Sequence, residues 1–240
     1  MPLKLSLVIP TYNESANLEK LCRKIVNSLD GGNFDFEIII VDDNSPDGTW
    51  RIAEGLAKGD LRIRLVRRIS TKGLASAVID GWKVSRGQIL GVIDADMQHP
   101  AEILTEMLNQ VSHHQEIDIV VASRYVAGGG FQNKSFWQAF KSGLAIFLGV
   151  RLLPKIFKSV KDPLSGYFIL RKEVITAKQL RPMGYKILLE VLVMGNYKKV
   201  YEHPYLFAQR QAGKTKAGWK QHFIYLLQLF KLKNYRLGHF

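Results

Sequence analysis

The sequence predicts an α/β fold with a mostly parallel central sheet flanked by helices, on three observations. Across residues 1–127, short runs rich in Ile, Val and Leu alternate with longer amphipathic stretches. Such runs read as strands buried on both faces, as a sheet covered by helices on both sides requires. The polar residues that interrupt the pattern fall where the runs end, which is where open α/β sheets bind ligands.

The elements follow in order. The first run, 5–10, ends in Pro10-Thr11-Tyr12-Asn13-Glu14 and leads into a helix over 14–29. The second, 36–41, ends in Asp42-Asp43-Asn44-Ser45. Ser45-Pro46-Asp47 then reads as the start of a helix over 47–58, with proline at an early helical position. A third run, 61–66, precedes a helix over 71–85. The fourth, 89–93, ends in Asp94-Ala95-Asp96-Met97-Gln98-His99, and His99-Pro100 opens a helix over 100–113. The fifth, 117–122, ends in Ser123-Arg124-Tyr125. Any one of these clusters could equally be a helix cap or a turn. Four of them on one rim point to a binding site.

Beyond residue 127 the pattern changes. Phe136-Trp137, Phe140, Leu144, Phe147-Leu148 and Val150 form an apolar stripe at near-helical spacing that ends at Arg151. Trp219, Phe223, Leu226-Leu227 and Phe230, with Lys220, Lys231 and Lys233 around them, form another. Aromatic, apolar and basic residues together suit a helix lying in a bilayer interface, and core packing is the competing reading; one face can serve each. Between the stripes, 206–218 carries Gly213, Gly218 and several basic residues with little apolar periodicity, which reads as a flap ordered by ligand.

Composition narrows the function. A hydrophobic content of 47% with 23% charged residues excludes disorder and collagen-like chains. The formal charge of +13 calls for an anionic partner: nucleic acid, an acidic membrane surface or a phosphorylated substrate. It is divided unevenly, with net −3 over residues 1–127 and net +16 over 128–240. Cys22 is the only cysteine, so an intramolecular disulfide and Cys-rich zinc sites are excluded, and a reducing compartment is expected. With no signal-peptide core and no apolar run of about 18 residues, the protein is expected to be soluble or to sit on a membrane. Nucleic acid is disfavoured, because no reading motif occurs and paired aspartates at a strand end would repel phosphate without a cation. Neither Gly-x-Gly-x-x-Gly after the first strand nor Gly-x-x-x-x-Gly-Lys-Ser/Thr is present.

Asp94 and Asp96, two apart in extended chain, would point their carboxylates the same way. Like charges so close repel unless a cation or a shared proton intervenes. With the Gln98 amide they make an oxygen-only donor set, suited to Mg²⁺ or Mn²⁺, and such a metal would neutralise a diphosphate leaving group. A capped strand end is the plainer alternative. Tyr12 can stack on a base, and Glu14 and the Asp42-Asp43 pair can accept hydrogen bonds from a nucleoside. The histidines, His99, His113, His114, His203, His222 and His239, show no metal-ligand spacing and are expected at the surface or at caps.

Val8-Ile9-Pro10-Thr11-Tyr12-Asn13-Glu14, Val41-Asp42-Asp43-Asn44-Ser45-Pro46-Asp47-Gly48-Thr49, Lys72-Gly73-Leu74-Ala75-Ser76-Ala77, Asp94-Ala95-Asp96-Met97-Gln98-His99-Pro100 and Ser123-Arg124-Tyr125 resemble the inverting family 2 glycosyltransferases with the GT-A fold. Gly128-Gly129-Gly130, Asp162-Pro163-Leu164-Ser165-Gly166-Tyr167 and Arg210-Gln211-Ala212-Gly213-Lys214-Thr215-Lys216 resemble its polyprenyl-phosphate branch, that of the dolichyl-phosphate mannosyltransferases. The likeness runs collinearly over residues 4–220.

The resemblance implies a nucleotide-sugar donor, GDP-mannose ahead of UDP-glucose, and a dolichyl or undecaprenyl phosphate acceptor. It implies Pro10, Tyr12, Glu14, Val41 and Asp43 at the nucleoside. Asp94, Ala95, Asp96, Met97 and Gln98 would face the diphosphate, with the metal on Asp94, Asp96 and Gln98. Arg124, Ser142 and Lys141 would meet the acceptor phosphate, and Lys186, Arg210 and Lys216 would close over the donor. Asp94, Asp96 and Arg124 would be the catalytic residues. Gln138 departs from the branch, which often has a basic residue there; Lys134 or Lys141 can supply that charge. An acceptor phosphate is already ionised, so one in-line displacement with inversion needs no strong general base. The implied domain is 1–216, with 1–127 for the nucleotide sugar and 128–216 for the acceptor and flap, followed by an amphipathic helix over 217–240. A peripheral place on the cytoplasmic face of a membrane is expected, with a membrane-anchoring partner subunit left open.

Overall fold

A computed structural model describes residues 4–132, 136–176, 180–181, 184–209 and 219–236, with backbone alone at 136–142, 219, 220 and 236. β1 (Leu5–Thr11) and β2 (Phe36–Asp42) are buried at every position, their apolar residues in the two cores and their few polar ones paired with each other, Ser6 with Glu37 and Thr11 with Asp42. They pair in parallel, and β1 also pairs in parallel with β4 (Ile89–Val92), while β2 pairs with β3 (Ile63–Arg67). Side chains alternate across the sheet. Leu5, Leu7, Ile9, Ile38 and Ile40 face one core, whereas Val8, Ile39 and Val41 face the other.

α1 (Leu18–Gly31) and α4 (Leu104–His113) cover the first face, and α3 (Leu74–Lys83) covers the second. In α1 the buried set Leu18, Leu21, Cys22, Ile25 and Leu29 follows the helical repeat. α3 lies close to the sheet because Gly81 has no side chain; a Cβ there would come within 2.8 Å of Val8. α2 (Thr49–Gly59) packs outside β2 and β3.

Several helix starts lie later than predicted. Pro46 remains outside α2, because the chain turns through left-handed Gly48 (φ 82°) before the helix begins at Thr49, whose N–H donates to the Asp47 carboxylate at 3.0 Å. Gly73 (φ +137°) delays α3 to Leu74, and a 3₁₀ turn at Ala101–Ile103 follows Pro100. The third strand begins at Ile63 rather than residue 61, since Asp60 turns the chain through its bonds to Arg62 and leaves Leu61 exposed.

β5 (Ile117–Ser123), β7 (Phe168–Arg171) and β8 (Lys199–Pro204) complete the seven-stranded sheet, in the order β3-β2-β1-β4-β7-β5-β8. β7 runs antiparallel to both β4 and β5. β6 (Gly130–Phe131) and β9 (Leu206–Phe207) form a separate two-stranded ribbon. Between and after them lie α5 (Phe136–Leu152), α6 (Pro154–Ser159), α7 (Glu173–Thr176), α8 (Ile187–Met194) and α9 (Trp219–Arg236).

The two predicted amphipathic stripes are α5 and α9. They touch each other, and the Tyr225 hydroxyl donates to the Ala145 carbonyl at 2.9 Å. One face of α9, Tyr225, Leu229 and Leu232, is buried in the second core. The opposite faces expose Leu144, Phe147 and Val150 on α5, and Phe223, Ile224, Leu227 and Phe230 on α9. Among the described residues no helix is long and apolar enough to cross a membrane.

Candidate functional site at the strand ends

The ends of β1 and β2 are joined by buried polar groups. Asp42, fully buried, accepts from the Thr11 hydroxyl at 2.8 Å, the Ser45 hydroxyl at 2.6 Å and the Ser45 N–H at 2.8 Å. Asn13, Asn44 and Met97 each follow a strand and take left-handed backbone, φ 54°, 54° and 62°. The chain therefore turns sharply at this rim after β1, β2 and β4. Such a conformation is sparsely populated for methionine and typical of sites where geometry matters more than local comfort.

The predicted nucleoside residues come together here. Pro10 and Val41 pair in register, Asp43 lies just beyond with its N–H on the Thr11 carbonyl, and Glu14 is buried beside Asn17. Lys72 stands over the Tyr12 ring, 5.1 Å from its centroid. Sequence reasoning missed Arg68, which is 6% exposed. Its guanidinium bonds the Asp43 carboxylate, the Ser76 hydroxyl, Asp80 and the Gly73 carbonyl, while the Gly73 N–H closes on Asp43 at 2.7 Å. Asp43 and the loop before α3 are thus one unit. Arg67-Arg68 looks like an ordinary surface pair in sequence, and nothing local marks the second arginine as buried.

β4 ends at Val92, so Asp94 and Asp96 lie in a turn rather than in extended chain. Asp96 accepts the Gln98 N–H at 3.2 Å, which closes that turn. The Gln98 side-chain amide donates to the Ala208 carbonyl at 3.0 Å, and Ala208 returns its N–H to the Gln98 carbonyl at 2.9 Å. Gln98 therefore fastens the base of the predicted flap to the aspartate motif. His99, expected at the surface or at a cap, is instead buried among Tyr167, Tyr205 and Phe207, with Nε2 3.6 Å from Asp94 Oδ2. Its position after Gln98 hid this, because the ring is enclosed by residues more than sixty positions away. Burial alone would raise the Asp94 carboxyl, but the His99 bond and the charges of His99, Lys186 and Arg124 hold it below the usual carboxylate range.

Arg124 follows β5 and is gripped bidentately by Asp162, with Nε and Nη2 each 2.7 Å from a carboxylate oxygen. Phe131, Phe207 and Tyr125 surround the guanidinium at 5.3 to 5.6 Å. Burial works against its charge, yet the Asp162 bonds keep it above the ordinary arginine value. Lys186 donates to the Leu164 carbonyl at 3.0 Å. Burial and the Arg124 charge depress the Lys186 ammonium, opposed by Asp94 and Asp162. These charges feel one another because β7 enters the sheet from this rim: the turn before it carries Asp162 at one end and, at the other, Gly166, where any Cβ would collide with the Asp94 carboxylate.

The structure thus gathers Pro10, Tyr12, Glu14, Val41, Asp43, Asp94, Ala95, Asp96, Met97, Gln98, Arg124 and Lys186 on one rim. Lys141 and Ser142 fall on α5 at positions whose side chains lie outside the described residues, and so does Gln138. Lys134, Arg210 and Lys216 lie outside them altogether. Among the described residues no group of three His, Cys, Asp or Glu side chains forms a metal cage. Two carboxylates with an amide oxygen nearby fit a hard cation that takes its remaining ligands from phosphate and water.

The model of the glycosyl transferase family 2 matches residues 6–177. A dolichol-phosphate mannosyltransferase of Pyrococcus furiosus is 44% identical over 230 residues, covering 96% of this chain and 64% of that protein. The chain thus spans less than two thirds of that relative's length. The Mycosarcoma maydis protein of the same name is 33% identical over 97% of this chain and 80% of its own. Among solved structures, glucosyl-3-phosphoglycerate synthase from Mycobacterium tuberculosis, in complex with Mn²⁺, UDP-glucose and phosphoglyceric acid, superposes with a TM-score of 0.73 at 20% identity, covering 98% of this chain and 80% of that one. Mannosyl-3-phosphoglycerate synthase from Rubrobacter xylanophilus gives 0.70 at 17%, over 99% and 76%. The fold is GT-A, and the chain belongs to glycosyltransferase family 2.

Proposed function

We propose that the protein transfers mannose from GDP-mannose to a polyprenyl phosphate, with inversion at the anomeric carbon, at the surface of a membrane on its cytoplasmic side. The observation that carries this is the pairing of charges on one rim. Asp94 and Asp96 stand at the end of β4, and Arg124, held by Asp162, stands at the end of β5, with Lys186 coupled to both. The names of the relatives support the donor and the lipid acceptor.

Asp94 and Asp96, with the Gln98 oxygen, would hold Mg²⁺ or Mn²⁺, and such a cation neutralises a departing diphosphate. The chain's own residues do the rest. Tyr12, Glu14 and Asp43 bind and orient the nucleoside, and Asp43 is prevented from swinging by Arg68. Arg124 presents the acceptor phosphate to the far side of the sugar, and the rings around it exclude water. Because the attacking oxygen is already ionised, alignment and charge stabilisation suffice. Lys186, with Arg210 and Lys216 of the flap over 206–218, would close over the donor diphosphate, and Lys141 and Ser142 would add to the acceptor phosphate site. The exposed faces of α5 and α9, with Arg151, Lys155, Lys158, Lys231 and Lys233 nearby, would rest on anionic lipid.

The test is an assay with radiolabelled GDP-mannose or UDP-glucose, undecaprenyl phosphate and Mn²⁺. Label from GDP-mannose is expected to enter the organic phase as a product of inverted configuration. Label entering only from UDP-glucose would replace the donor, and none from either would overturn the proposal.

A further inference from the structure

We propose that Glu202 is a positioning residue for Arg124 that acts through Asp162 and so sets the affinity of the site for the acceptor phosphate; the substrate class rests on the function proposed above. Glu202 lies on β8 beside Val121 of β5. Its two oxygens accept from consecutive backbone N–H groups, Lys161 at 2.7 Å and Asp162 at 2.9 Å. Charge-assisted bonds to adjacent amides fix the peptide plane between them. The side chain on that plane is the Asp162 carboxylate, 1% exposed, which takes the Nε and Nη2 edge of Arg124 and its backbone N–H as well.

An arginine just past a strand end has several free torsions, and a planar fork binds phosphate well only when its plane is fixed. Here two carboxylates in series fix it, and the first comes from the neighbouring strand. A phosphate would meet the Nη1 side. The other end of the same turn is secured separately. The Ser165 hydroxyl donates to the Ala122 carbonyl at 2.8 Å, so the approach of Gly166 to Asp94 does not depend on Glu202. The relay therefore acts first on the acceptor half of the site, while the contact of Gly166 with Asp94 on the donor half is kept by Ser165.

Glu202→Gln keeps the shape but turns an NH₂ group toward one of the two amides. In the full chain, transfer from GDP-mannose to undecaprenyl phosphate is measured beside metal-dependent hydrolysis of GDP-mannose by water. The acceptor KM is expected to rise about tenfold, since a small misalignment of a binding group is costly, with hydrolysis unchanged. On an Asp162→Asn background the same change is expected to add less than about twofold, because the route is already cut. An unchanged acceptor KM, equal losses in transfer and hydrolysis, or full additivity would overturn the relay.

A readout independent of activity separates this inference from the function. The Arg124 Nε–H resonance, assigned by its loss in Arg124→Lys, is expected to exchange slowly with solvent in the native protein and much faster in Glu202→Gln. Equal exchange in the two overturns the relay. Faster exchange in a protein that makes no lipid product leaves the relay standing and overturns the function.

Discussion

Single side chains at this rim are held by partners far away in sequence, and their substitution should show it. Arg68 and Asp43 are both nearly fully buried. Removing one member of such a pair strands the other charge, so Arg68→Ala is expected to cost about 3 kcal/mol or more in chemical denaturation. Nucleotide affinity should fall with it, as calorimetry would show. Asp96→Asn should behave differently. Fold stability is expected to persist while metal-dependent transfer falls roughly a hundredfold or more, the usual scale for losing one charge-stabilising group; retained Mn²⁺ binding by titration would contradict the assignment. Glu37 supplies a pH prediction. Burial pushes its carboxyl up, but bonds from Ser6, Arg64 and the Arg86 N–H pull it below 4.5. A depressed folded-state value stabilises above the unfolded value, and that contribution is lost as pH falls through the folded one. Glu37→Gln should therefore lower the midpoint of urea unfolding at pH 7 and shrink the difference between pH 7 and pH 3.

The elements were readable to the extent that their signals are local. β1, β2 and β5 announce themselves as short runs rich in Ile, Val and Leu, and the motifs at their ends follow directly. β7 and β8 do not. β7 is four residues long, and β8, Lys199-Val-Tyr-Glu-His-Pro204, is a polar edge strand whose alternation is hidden by charge. For the same reason the partners of the site went unread. Asp162 sits 38 residues from Arg124, and Glu202 another 40 beyond. Ion pairs across such distances are set by topology, which residue spacing does not encode. The close packing of α3 on β1 can be tested directly. Gly81→Ala is expected to destabilise by about 1–3 kcal/mol through overpacking. The loss should be smaller on a Val8→Ala background, where the facing methyl groups are gone. Additive losses in thermal unfolding would argue against the contact.

For the molecule as a whole, the uneven charge and the α5–α9 pair belong together. The basic half carries the exposed apolar faces, and α9 also reaches inward: the Gln228 amide donates to the Lys186 carbonyl at 3.1 Å. The helix proposed to meet lipid thus also braces a residue of the rim. Sedimentation with anionic vesicles is expected to capture the protein and to weaken with salt. The double change Phe147→Glu and Phe223→Glu should reduce capture about tenfold or more, because two large rings no longer enter the interface. Capture that ignores both salt and these substitutions would place the contact elsewhere.

The reversed sense of β7 has one more consequence. β4 and β5 would be immediate neighbours without it; with it they stand two strand spacings apart, about 10 Å. A parallel strand in that slot would reach this rim only with the loop that follows it, so residues 162–166, which precede β7, would lie at the opposite edge. Running backwards, it delivers its leading bend into the opening, a keystone that in the proposed reaction would set the span between the anion that leaves and the anion that attacks. Four residues of inverted polarity would thereby act as the ruler for the transferred sugar.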